Sequence, residues 1–284
     1  MKVFVVGAGT MGAGIAQAFI QKKDHEVWLC DQTDTFVQNG VLKVKKGLEY
    51  LVKKDKMTQA ECDELMSHLH GTTDYQDAKA VDLVIEAIFE EVAPKKAIYQ
   101  ALDDICPPET IFASNTSSLS ITELGTGLKH EKQFVGMHFF NPAPIMKLVE
   151  VTKGYHTSEE TQDRVVSICQ EIGKEPVRVK EAPGFIVNRI LIPMMNEACE
   201  ILREGIATAE DIDKAMCLGA GHSMGPLHTA DLVGNDINLH IMESLFEETG
   251  DPKYRPSILL KQMVRANLLG RKTGRGFFEY PEKK

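Results

Sequence analysis

Short, almost continuously apolar runs alternate with longer amphipathic stretches through the first two-thirds of the chain. Runs rich in Val, Ile and Phe, bounded by polar or turn-forming residues, favour buried strands. They predict the strands Val3–Val6, Glu26–Cys30, Val81–Glu86, Thr110–Ala113, Phe134–His138 and Lys147–Val151. The stretches between them predict the helices Met11–Gln21, Phe36–Lys54, Pro94–Cys106 and Ser158–Ile172. This alternation is typical of a mainly parallel sheet with helices on both faces.

The pattern changes at Pro183-Gly184, in the segment "KEAPGFIVNRIL". Beyond this point helical periodicity continues and no convincing strand is found. The predicted helices are Ile186–Arg203, one with Thr208 as N-cap and its end near Gly219, Asp236–Glu248 and Pro256–Leu269. The sequence therefore predicts an α/β domain over residues 1–183 and an all-α domain over residues 184–284.

A glycine-rich turn lies between the first predicted strand and the first predicted helix, in "KVFVVGAGTMGAGIAQAF". Gly7 permits a tight turn, Gly9 lets the backbone approach a pyrophosphate, and Gly12 allows the helix to pack closely on the strand. The helix start would offer unpaired N–H groups to the phosphates. We therefore predict a Rossmann-type dinucleotide-binding domain; the alternative is a turn that binds nothing. The predicted contacts in this turn are Gly7, Ala8, Gly9, Thr10, Met11 and Gly12.

Asp31 ends the second predicted strand, at the position expected to bind the adenosine ribose. Its carboxylate would accept hydrogen bonds from the ribose hydroxyls and repel a 2′-phosphate, and no arginine follows it directly. The predicted cofactor is therefore NAD rather than NADP. The alternative is that Asp31 caps the following helix.

Polar side chains follow three further predicted strands. In an open α/β sheet, ligands bind beyond the carboxyl ends of the strands, so these side chains are expected to converge there. They are Glu86, Glu90 and Glu91, then Ser114, Asn115, Ser117 and Ser118, and finally His138 and Asn141-Pro142.

His138 and Glu150 stand in neighbouring apolar segments, within "VGMHFFNPAPIMKLVEV". If the two strands pair, the carboxylate can reach the imidazole, fix its tautomer and stabilise its protonated form. Such a pair suits a general acid and base, although a buried structural pair is the alternative. Removal of a hydride from an alcohol carbon needs a base on the hydroxyl and donors for the oxygen. His138 can supply the base, and Ser117 can donate a hydrogen bond to the reacting oxygen. Asn188, at the start of the second domain, can close the site.

The overall composition makes several classes of function improbable. The 284-residue chain carries a net charge of −9, which argues against a surface for nucleic acid or an anionic membrane. No apolar run approaches the ~20 residues of a membrane span. Because the segment "KVFVVGAG", which contains the first predicted strand, begins at residue 2, no targeting peptide is expected. The six scattered cysteines indicate reduced thiols in a cytoplasmic protein.

A metal site is not predicted. His68 and His70 lie near Cys62, but their spacing matches no common zinc motif, so we interpret the segment as a polar helix end.

The chain resembles the L-3-hydroxyacyl-CoA dehydrogenase family over almost its whole length, and is most similar to its short-chain bacterial branch, which acts on 3-hydroxybutyryl-CoA. The resemblance implies reversible, NAD-dependent oxidation of (S)-3-hydroxyacyl-CoA in fatty-acid or butyrate metabolism, by a homodimer. The shared segments are "GAGTMGAGIAQAF", "ASNTSSLSIT", "GMHFFNPAPIMKLVEV", "EAPGFIVNRILIPMMNEA", "DIDKAMCLGAG" and "GRKTGRGFFEY".

The resemblance also implies roles for individual residues. His138 matches the catalytic histidine and Glu150 the glutamate that orients it. Ser117 and Asn188 match the residues that contact the substrate. The implied cofactor contacts beyond the glycine turn are Asp31, Glu90, Lys95, Ser117, Asn141 and Lys272.

Coenzyme A needs cations for its phosphates, and the segment "LKVKKGLEYLVKKDK" supplies them. Lys54 is the residue that best matches the family's CoA contact, although a solvated basic helix face is the usual explanation of such a run. One position departs from the family pattern, because His228 stands where members carry a glutamate. This departure puts the expected dimer contacts in doubt.

Three alternatives remain open at this point. A β-hydroxyacid dehydrogenase acting on a free acid has a similar plan but uses a catalytic lysine. A non-enzymatic relative, such as a lens crystallin, would have no need of Ser117, His138, Glu150 and Asn188 together. A module of a multifunctional oxidation protein is disfavoured by the free start and by the ending "FFEYPEKK".

Overall fold

The computed structural model describes residues 1–22 and 24–281, which separate into two compact units. The first unit is Met1–Ala182, and the second begins at Pro183. The break falls at the Pro-Gly pair that interrupts the sequence pattern.

A single eight-stranded sheet forms the centre of the first unit. Its strands are β1 (Lys2–Val6), β2 (Glu26–Cys30), β3 (Leu69–Thr72), β4 (Leu83–Glu86), β5 (Ile111–Ser114), β6 (Phe134–Phe139), β7 (Leu148–Lys153) and β8 (Glu175–Lys180). Their spatial order is β3-β2-β1-β4-β5-β6-β7-β8. Neighbouring strands are parallel except for β6 and β7, which pair antiparallel. The order reverses beside β1, which places a crevice at the carboxyl ends of β1 and β4.

Helices connect the strands and cover the sheet. They are α1 (Thr10–Ile20), α2 (Asp34–Lys53), α3 (Gln59–Ser67), α4 (Val92–Asp103), α5 (Ile121–Gly125) and α6 (Glu159–Glu171). Side-chain caps begin several of them: Thr33 accepts from Phe36 N at α2, and Thr58 forms a capping box with Glu61 at α3. Each cap satisfies backbone N–H groups that the first turn leaves unpaired.

The apolar core of this unit lies between the sheet and its helices. Ile15 and Phe19 of α1 and Val165 of α6 belong to the same cluster as Val5 of β1 and Val135 of β6. All five side chains are fully buried. Burying each side chain of this size contributes roughly 1.5–3 kcal/mol, so this core holds the strand ends that carry the polar residues.

The six predicted strands are confirmed, with ends within two residues of those expected. Two further strands, β3 and β8, were missed, and they are the two edges of the sheet. β8 is largely exposed and reads "EPVRVK", with a proline and charges, while β3 is a short run around Gly71. Edge strands are commonly short, charged or proline-containing, and so they lack the apolar signal of central strands.

The second unit is helical, as the sequence predicts. Its helices are α7 (Val187–Arg203), α8 (Ala209–Gly219), α9 (Pro226–Val233), α10 (Asn235–Thr249) and α11 (Ile258–Arg265). Thr208 caps α8 by accepting from Asp211 N at 3.2 Å, as predicted. Isolated bridges join Gly270 to Arg275 and Arg275 to Glu279, outside the named strands. The short helix α9 was not predicted.

Buried Asp231 anchors the end of the described chain to α9. It accepts hydrogen bonds from Phe277 N (3.0 Å), Phe278 N (2.9 Å) and the hydroxyl of Tyr280 (3.1 Å). Burial and this carboxylate raise the pKa of Tyr280 to about 12. One buried carboxylate thus binds the three residues Phe277, Phe278 and Tyr280 of the segment "GRKTGRGFFEY".

A membrane span requires a helix that is both long and apolar. Among residues 1–22 and 24–281, no helix has both the length and the apolar character needed to cross a membrane.

Candidate active site

The glycine turn adopts the geometry that a dinucleotide site requires. Gly7 has φ +101°, and a Cβ there would lie 2.6 Å from the carbonyl oxygen of Ala87. A Cβ on Gly12 would lie 1.7 Å from the carbonyl oxygen of Gly7. Both positions therefore need glycine, the first for its backbone conformation and the second for close helix–strand packing.

Gly9 differs from Gly7 and Gly12 in its surroundings. A Cβ at Gly9 would meet nothing within 4 Å, so the backbone here faces open space. Gly9 is also the N-cap of α1, whose first N–H groups need acceptors. The residues Thr10 and Met11 of the first turn follow directly. Open space beside an uncapped helix N-terminus fits a bound pyrophosphate.

A cavity of about 540 Å³ extends from this turn. It is lined by the turn itself, by Asp31 at the end of β2 and by apolar or aromatic side chains, among them Phe36, Tyr75 and Phe89. An apolar cavity with one carboxylate at its rim suits an adenosine moiety with two ribose hydroxyls. The residues present therefore fit an NAD cofactor.

Asp31 contacts the glycine turn directly. Its Oδ2 accepts from Ala8 N at 2.7 Å, and its Oδ1 accepts from Gln32 N at the same distance. The N-cap of α2 is Thr33, so Asp31 does not cap that helix as the alternative interpretation required. Asp31 thus links the carboxyl ends of β1 and β2 at the mouth of the cavity.

A buried ionic cluster lies beneath the ends of β4 and β5. The carboxylate of Glu86, which is fully buried, accepts from Lys95 Nζ (2.6 Å), Tyr99 OH (3.0 Å), Ser114 Oγ (2.8 Å) and Ile88 N (2.7 Å). Four donors satisfy a charge that would otherwise be costly to bury. Lys95, implied as a cofactor contact by resemblance, lies 1% exposed within this cluster.

Tyr99 had no role in the sequence analysis. Lys95, Tyr99 and Leu102 are all buried on α4 and follow at helical spacing, which places them on one helix face. That spacing is the signal that could have identified Tyr99 as a member of the cluster.

Glu90 organises the loop after β5. Its Oε1 accepts from Ser117 N (2.6 Å), Ser117 Oγ (3.1 Å), Ser118 N (3.1 Å) and Thr116 Oγ1 (2.6 Å). Its Oε2 pairs with Lys95 Nζ at 3.2 Å. Burial alone would raise the pKa of Glu90, but Lys95 and the hydrogen bonds from Thr116 and Ser117 outweigh it and lower that pKa. An ionised Glu90 therefore holds the loop that carries Ser117.

His138 and Glu150 form the pair that the sequence suggested. They occupy the same register position of the antiparallel pair β6–β7, with His138 Nδ1 2.7 Å from Glu150 Oε2. Glu150 is 1% exposed and His138 is 7% exposed. A carboxylate on Nδ1 holds the ring with its other nitrogen, Nε2, directed away from β7.

The loop after β5 is joined to the end of β6 beside this pair. Asn115 Oδ1 accepts from the backbone N–H of Phe139, the residue after His138, at 2.9 Å. The segments carrying Ser117 and His138 are therefore held together at the carboxyl edge of the sheet. Asn141 lies two residues after the end of β6, is exposed, and is joined to Pro142 by a cis peptide bond.

Two of the implied site residues belong to the second unit. Asn188 lies in the first turn of α7. The ammonium of Lys272 lies 2.5 Å from the carboxylate of Asp236 at the start of α10. Their expected roles beside the cofactor and substrate stay predictions.

The remaining polar candidates have other partners. Lys54 is the C-cap of α2, exposed, with its ammonium 5.7 Å from the ring centroid of Tyr50. His68 and His70 both contact Glu26 of β2, at 2.6 and 2.7 Å; His68 is the C-cap of α3 and His70 lies in β3. Groups of His, Cys, Asp or Glu able to hold a metal ion are not found among the described residues.

His228, the departure from the family pattern, packs against the end of the chain. Its Nδ1 lies 2.6 Å from Asp213 Oδ2, and its ring stacks on Phe278 at a centroid distance of 3.6 Å. These contacts give His228 a structural role within the second unit.

A dinucleotide-binding fold that carries a paired imidazole and carboxylate at the carboxyl ends of its strands is typical of a nicotinamide-dependent dehydrogenase. Comparison with known proteins identifies the family. Residues 2–182 match the 3-hydroxyacyl-CoA dehydrogenase, NAD binding domain, and residues 184–280 match the 3-hydroxyacyl-CoA dehydrogenase, C-terminal domain. The chain belongs to the 3-hydroxyacyl-CoA dehydrogenase family, and its first unit is the family's NAD-binding domain.

Similar proteins cover nearly the whole chain. The 3-hydroxybutyryl-CoA dehydrogenase of Clostridioides difficile is 50% identical over 280 residues, covering 99% of both chains. The mitochondrial hydroxyacyl-coenzyme A dehydrogenase of Rattus norvegicus is 41% identical over 285 residues, covering 98% of this chain and 90% of the rat protein. A crystal structure of (S)-3-hydroxybutyryl-CoA dehydrogenase from Ralstonia eutropha superposes with a TM-score of 0.96 at 47% identity, covering 99% of each chain.

Proposed function

We propose that this enzyme interconverts (S)-3-hydroxybutyryl-CoA and acetoacetyl-CoA with NAD, and that His138 is its general acid and base. The His138–Glu150 pair at the carboxyl edge of the sheet is the observation that carries this proposal. The short-chain substrate is supported by the names of the relatives from C. difficile and R. eutropha.

His138 acts through its Nε2 atom. In the oxidative direction this nitrogen takes the proton of the substrate hydroxyl, and in the reductive direction it returns a proton to the ketone oxygen. Glu150 holds Nδ1–H, which keeps the acceptor on Nε2 and stabilises the imidazolium that forms. Bound NAD supplies the acceptor for the hydride that leaves the substrate carbon.

Ser117 is proposed to orient the reacting oxygen, and the family resemblance assigns the same role to Asn188. The hydroxyl of Ser117 lies 3.1 Å from Glu90, at the long end of hydrogen-bond distances, and a hydroxyl can rotate to donate to a substrate oxygen. The amide of Asn188 adds a second donor. Donors aimed at this oxygen stabilise the charge that develops on it.

We propose that the glycine turn and the carboxyl ends of the strands bind the cofactor. The backbone from Gly7 to Gly12 receives the pyrophosphate, and Asp31 accepts the ribose hydroxyls. The further proposed contacts are Glu90, Lys95, Ser117, Asn141 and Lys272. Lys95 acts largely by keeping Glu90 ionised, since its ammonium already lies against two carboxylates.

The test of the proposed function is a spectrophotometric assay of NADH oxidation by acetoacetyl-CoA. The same assay with longer 3-oxoacyl-CoA thioesters measures the preferred acyl length, and free acetoacetate tests the alternative of a free-acid dehydrogenase. We expect rapid turnover of the C4 thioester and very slow turnover of the free acid. Equal rates with the free acid would overturn the proposal.

The carboxylate of Asp31 is expected to select NADH over NADPH. A phosphate beside this carboxylate is repelled, so kcat/KM with NADPH should be roughly 100-fold below that with NADH. The change Asp31→Asn keeps an acceptor for Ala8 N but removes the charge, and should narrow this ratio at least about tenfold. Asp34→Asn, an exposed acidic residue at the start of α2, is the matched control. Comparable efficiency of the unmodified enzyme with both cofactors contradicts the assignment.

Lys54 is expected to bind a phosphate of coenzyme A. The change Lys54→Ala should raise KM for acetoacetyl-CoA by about fivefold to tenfold, with kcat almost unchanged, because a remote cation contributes equally to ground and transition states. Lys45→Ala, on the same helix but paired with Glu49 at 4.0 Å, is the control. An unchanged KM in the Lys54 variant indicates a solvated basic helix face instead.

We further propose a cytoplasmic homodimer that contributes to butyrate or fatty-acid metabolism. All six cysteines are unpaired, which suits a reducing compartment. Apolar side chains of the second unit are exposed in the single chain and suit a subunit interface; they include Ile190, Ile206, Leu218, Leu232, Ile237 and Ile258. Light scattering tests this proposal, since the expected mass is that of two chains.

A further inference from the structure

The loop between β6 and β7, residues 140–147, connects the two proposed catalytic strands. It begins directly after the strand that carries His138, contains Asn141, and leads into the strand that carries Glu150. Any shift of this loop moves the proposed cofactor contact Asn141 relative to the imidazole. What holds the loop in place is therefore relevant to catalysis.

The loop is anchored in the apolar core by one small side chain, Ala143, which is 2% exposed, whereas its larger apolar side chains at the tip are not buried. Ile145 is 74% exposed and Met146 is 41% exposed. Within the loop, the backbone N–H groups of both residues donate to the carbonyl oxygen of Pro142, each at 2.9 Å. These bonds form a compact turn, but they do not attach it to the rest of the unit.

The side-chain hydrogen bonds that attach the loop come from Lys174, in the turn between α6 and β8, and the backbone N–H of Glu175 adds a bond to the carbonyl oxygen of Lys147 at 2.8 Å. The side-chain ammonium of Lys174 donates to the carbonyl oxygens of Ala143 (2.6 Å) and Met146 (2.9 Å). Lys174 is 6% exposed, and burial lowers its pKa. Burying an ammonium against neutral carbonyl groups is costly for the fold, which argues that its donors are retained for a specific purpose.

The opposite side of the loop lies against α1, the helix that begins at the glycine turn. A Cβ added at Gly14 would lie 3.2 Å from both Ala143 Cβ and Pro144 Cδ. The glycine thus allows the helix to approach the loop closely. The loop therefore contacts both the helix that begins at the glycine turn and the Lys174 ammonium.

We propose that Lys174 is a positioning residue of the active site, whose ammonium fixes the loop 140–147 and thereby the placement of Asn141 toward the dinucleotide. This inference rests on the proposed function, because it assumes that Asn141 contacts the cofactor. Lys174 acts through the loop and takes no part in proton or hydride transfer.

The first test measures the order of the loop without any cofactor. Lys174→Met keeps the length and apolar stem of the side chain but removes its donors. Native-state hydrogen exchange should show the amides of Ile145 and Met146 exchanging at least about tenfold faster, while β1 is unchanged. Unchanged protection of the loop in a folded Lys174→Met protein overturns the inference.

The second test separates positioning from general destabilisation by kinetics. In Lys174→Met, the dissociation constant of NADH should rise about tenfold and kcat should fall, while KM for acetoacetyl-CoA stays within about twofold. Lys174→Arg, which keeps the charge and the donors, should recover most of the cofactor affinity. Val165→Ala is the control for general destabilisation, because it opens a cavity in the core at α6 and so lowers stability through lost packing. It should leave the dissociation constant of NADH, kcat and KM unchanged.

If Lys174→Met fails to fold, a second variant perturbs the same loop through its contact with α1. Gly14→Ala pushes against Ala143 and Pro144 but favours the helix, so the unfolding temperature should be maintained. Its NADH affinity should fall by a similar factor, whereas Gly219→Ala, where a Cβ meets nothing within 4 Å, should have no effect. If Gly14→Ala leaves both loop exchange and NADH affinity unchanged, the inference is wrong.

Failure of the inference can be distinguished from failure of the proposed function. An unmodified enzyme that does not reduce acetoacetyl-CoA refutes the proposed function, while the exchange measurement still reports on the Lys174 anchor. An active enzyme whose Lys174 and Gly14 variants show unchanged exchange and unchanged NADH binding refutes the anchor alone.

Discussion

Replacing His138 with glutamine is expected to lower kcat for acetoacetyl-CoA reduction roughly 10²–10⁴-fold, with the dissociation constant of NADH nearly unchanged. Glutamine fills similar space and can still hydrogen-bond to Glu150, but it cannot take up or release a proton near neutral pH. The loss should therefore appear in the chemical step rather than in binding. Steady-state kinetics combined with NADH fluorescence titration measures both quantities.

The chain contains a matched control for this variant. His130 is also buried, 2% exposed, and its Nδ1 lies 2.6 Å from Asp103 Oδ1, yet its Nε2 is bonded to the carbonyl oxygen of Pro107, before β5. His130→Gln is expected to lower the unfolding temperature and leave kcat close to normal. Near-normal turnover of a folded His138→Gln enzyme would falsify the acid–base assignment.

The change Glu150→Gln is expected to lower kcat roughly 10²–10³-fold. This is a smaller loss than the ~10⁴-fold decrease in kcat caused by changing the triad aspartate of serine proteases to asparagine. The amide is the same size as the carboxylate but can present an N–H to Nδ1, which favours the wrong tautomer of His138. KM for the acyl-CoA should change much less than kcat. The measurement is the split between kcat and KM, together with a thermal unfolding curve.

The control for Glu150→Gln is Asp103→Asn, which makes the same chemical change in the structural pair. Hydrogen bonds from His130 and from the backbone of Lys129 and His130 outweigh the effect of burial and lower the pKa of Asp103. The carboxylate of Asp103 therefore stabilises the fold in its ionised form, and Asp103→Asn should reduce stability without reducing turnover. A Glu150→Gln protein that does not fold, beside an active Asp103→Asn enzyme, favours a structural role for the Glu150 pair.

The central strands could be predicted because they are buried on both faces. Segments such as "VFVV" and "LVI" are continuously apolar, since each side of the sheet is covered by helices. The edge strands β3 and β8 lack this signal because one of their edges faces solvent, and charges and a proline are tolerated there. The glycine turn was predicted for a further reason, since backbone geometry at Gly7 and Gly12 restricts the residue type.

The site was only partly accessible from sequence. His138 and Glu150 were identified as candidates because polar residues in apolar strands need partners. Their antiparallel register was a condition that the sequence could not test, and the pairing of β6 with β7 met it. Lys174 gave no signal, because a lysine in a short turn is usually exposed, and its partners are carbonyl groups at distant positions.

Local pattern alone was sufficient for the six central strands and the longer helices, the change to an all-α unit after Pro183, the glycine turn and the identity of the polar side chains at the strand ends. These features follow from the spacing of apolar residues along the chain and from local backbone geometry, which both depend on residues that are close in sequence. Tertiary contacts were needed to show that Glu86, Lys95 and Tyr99 form one cluster and that Lys174 holds the loop 140–147. Such partnerships depend on strand order, register and the path of the chain, because they join groups that are distant in sequence and meet only when the sheet is assembled.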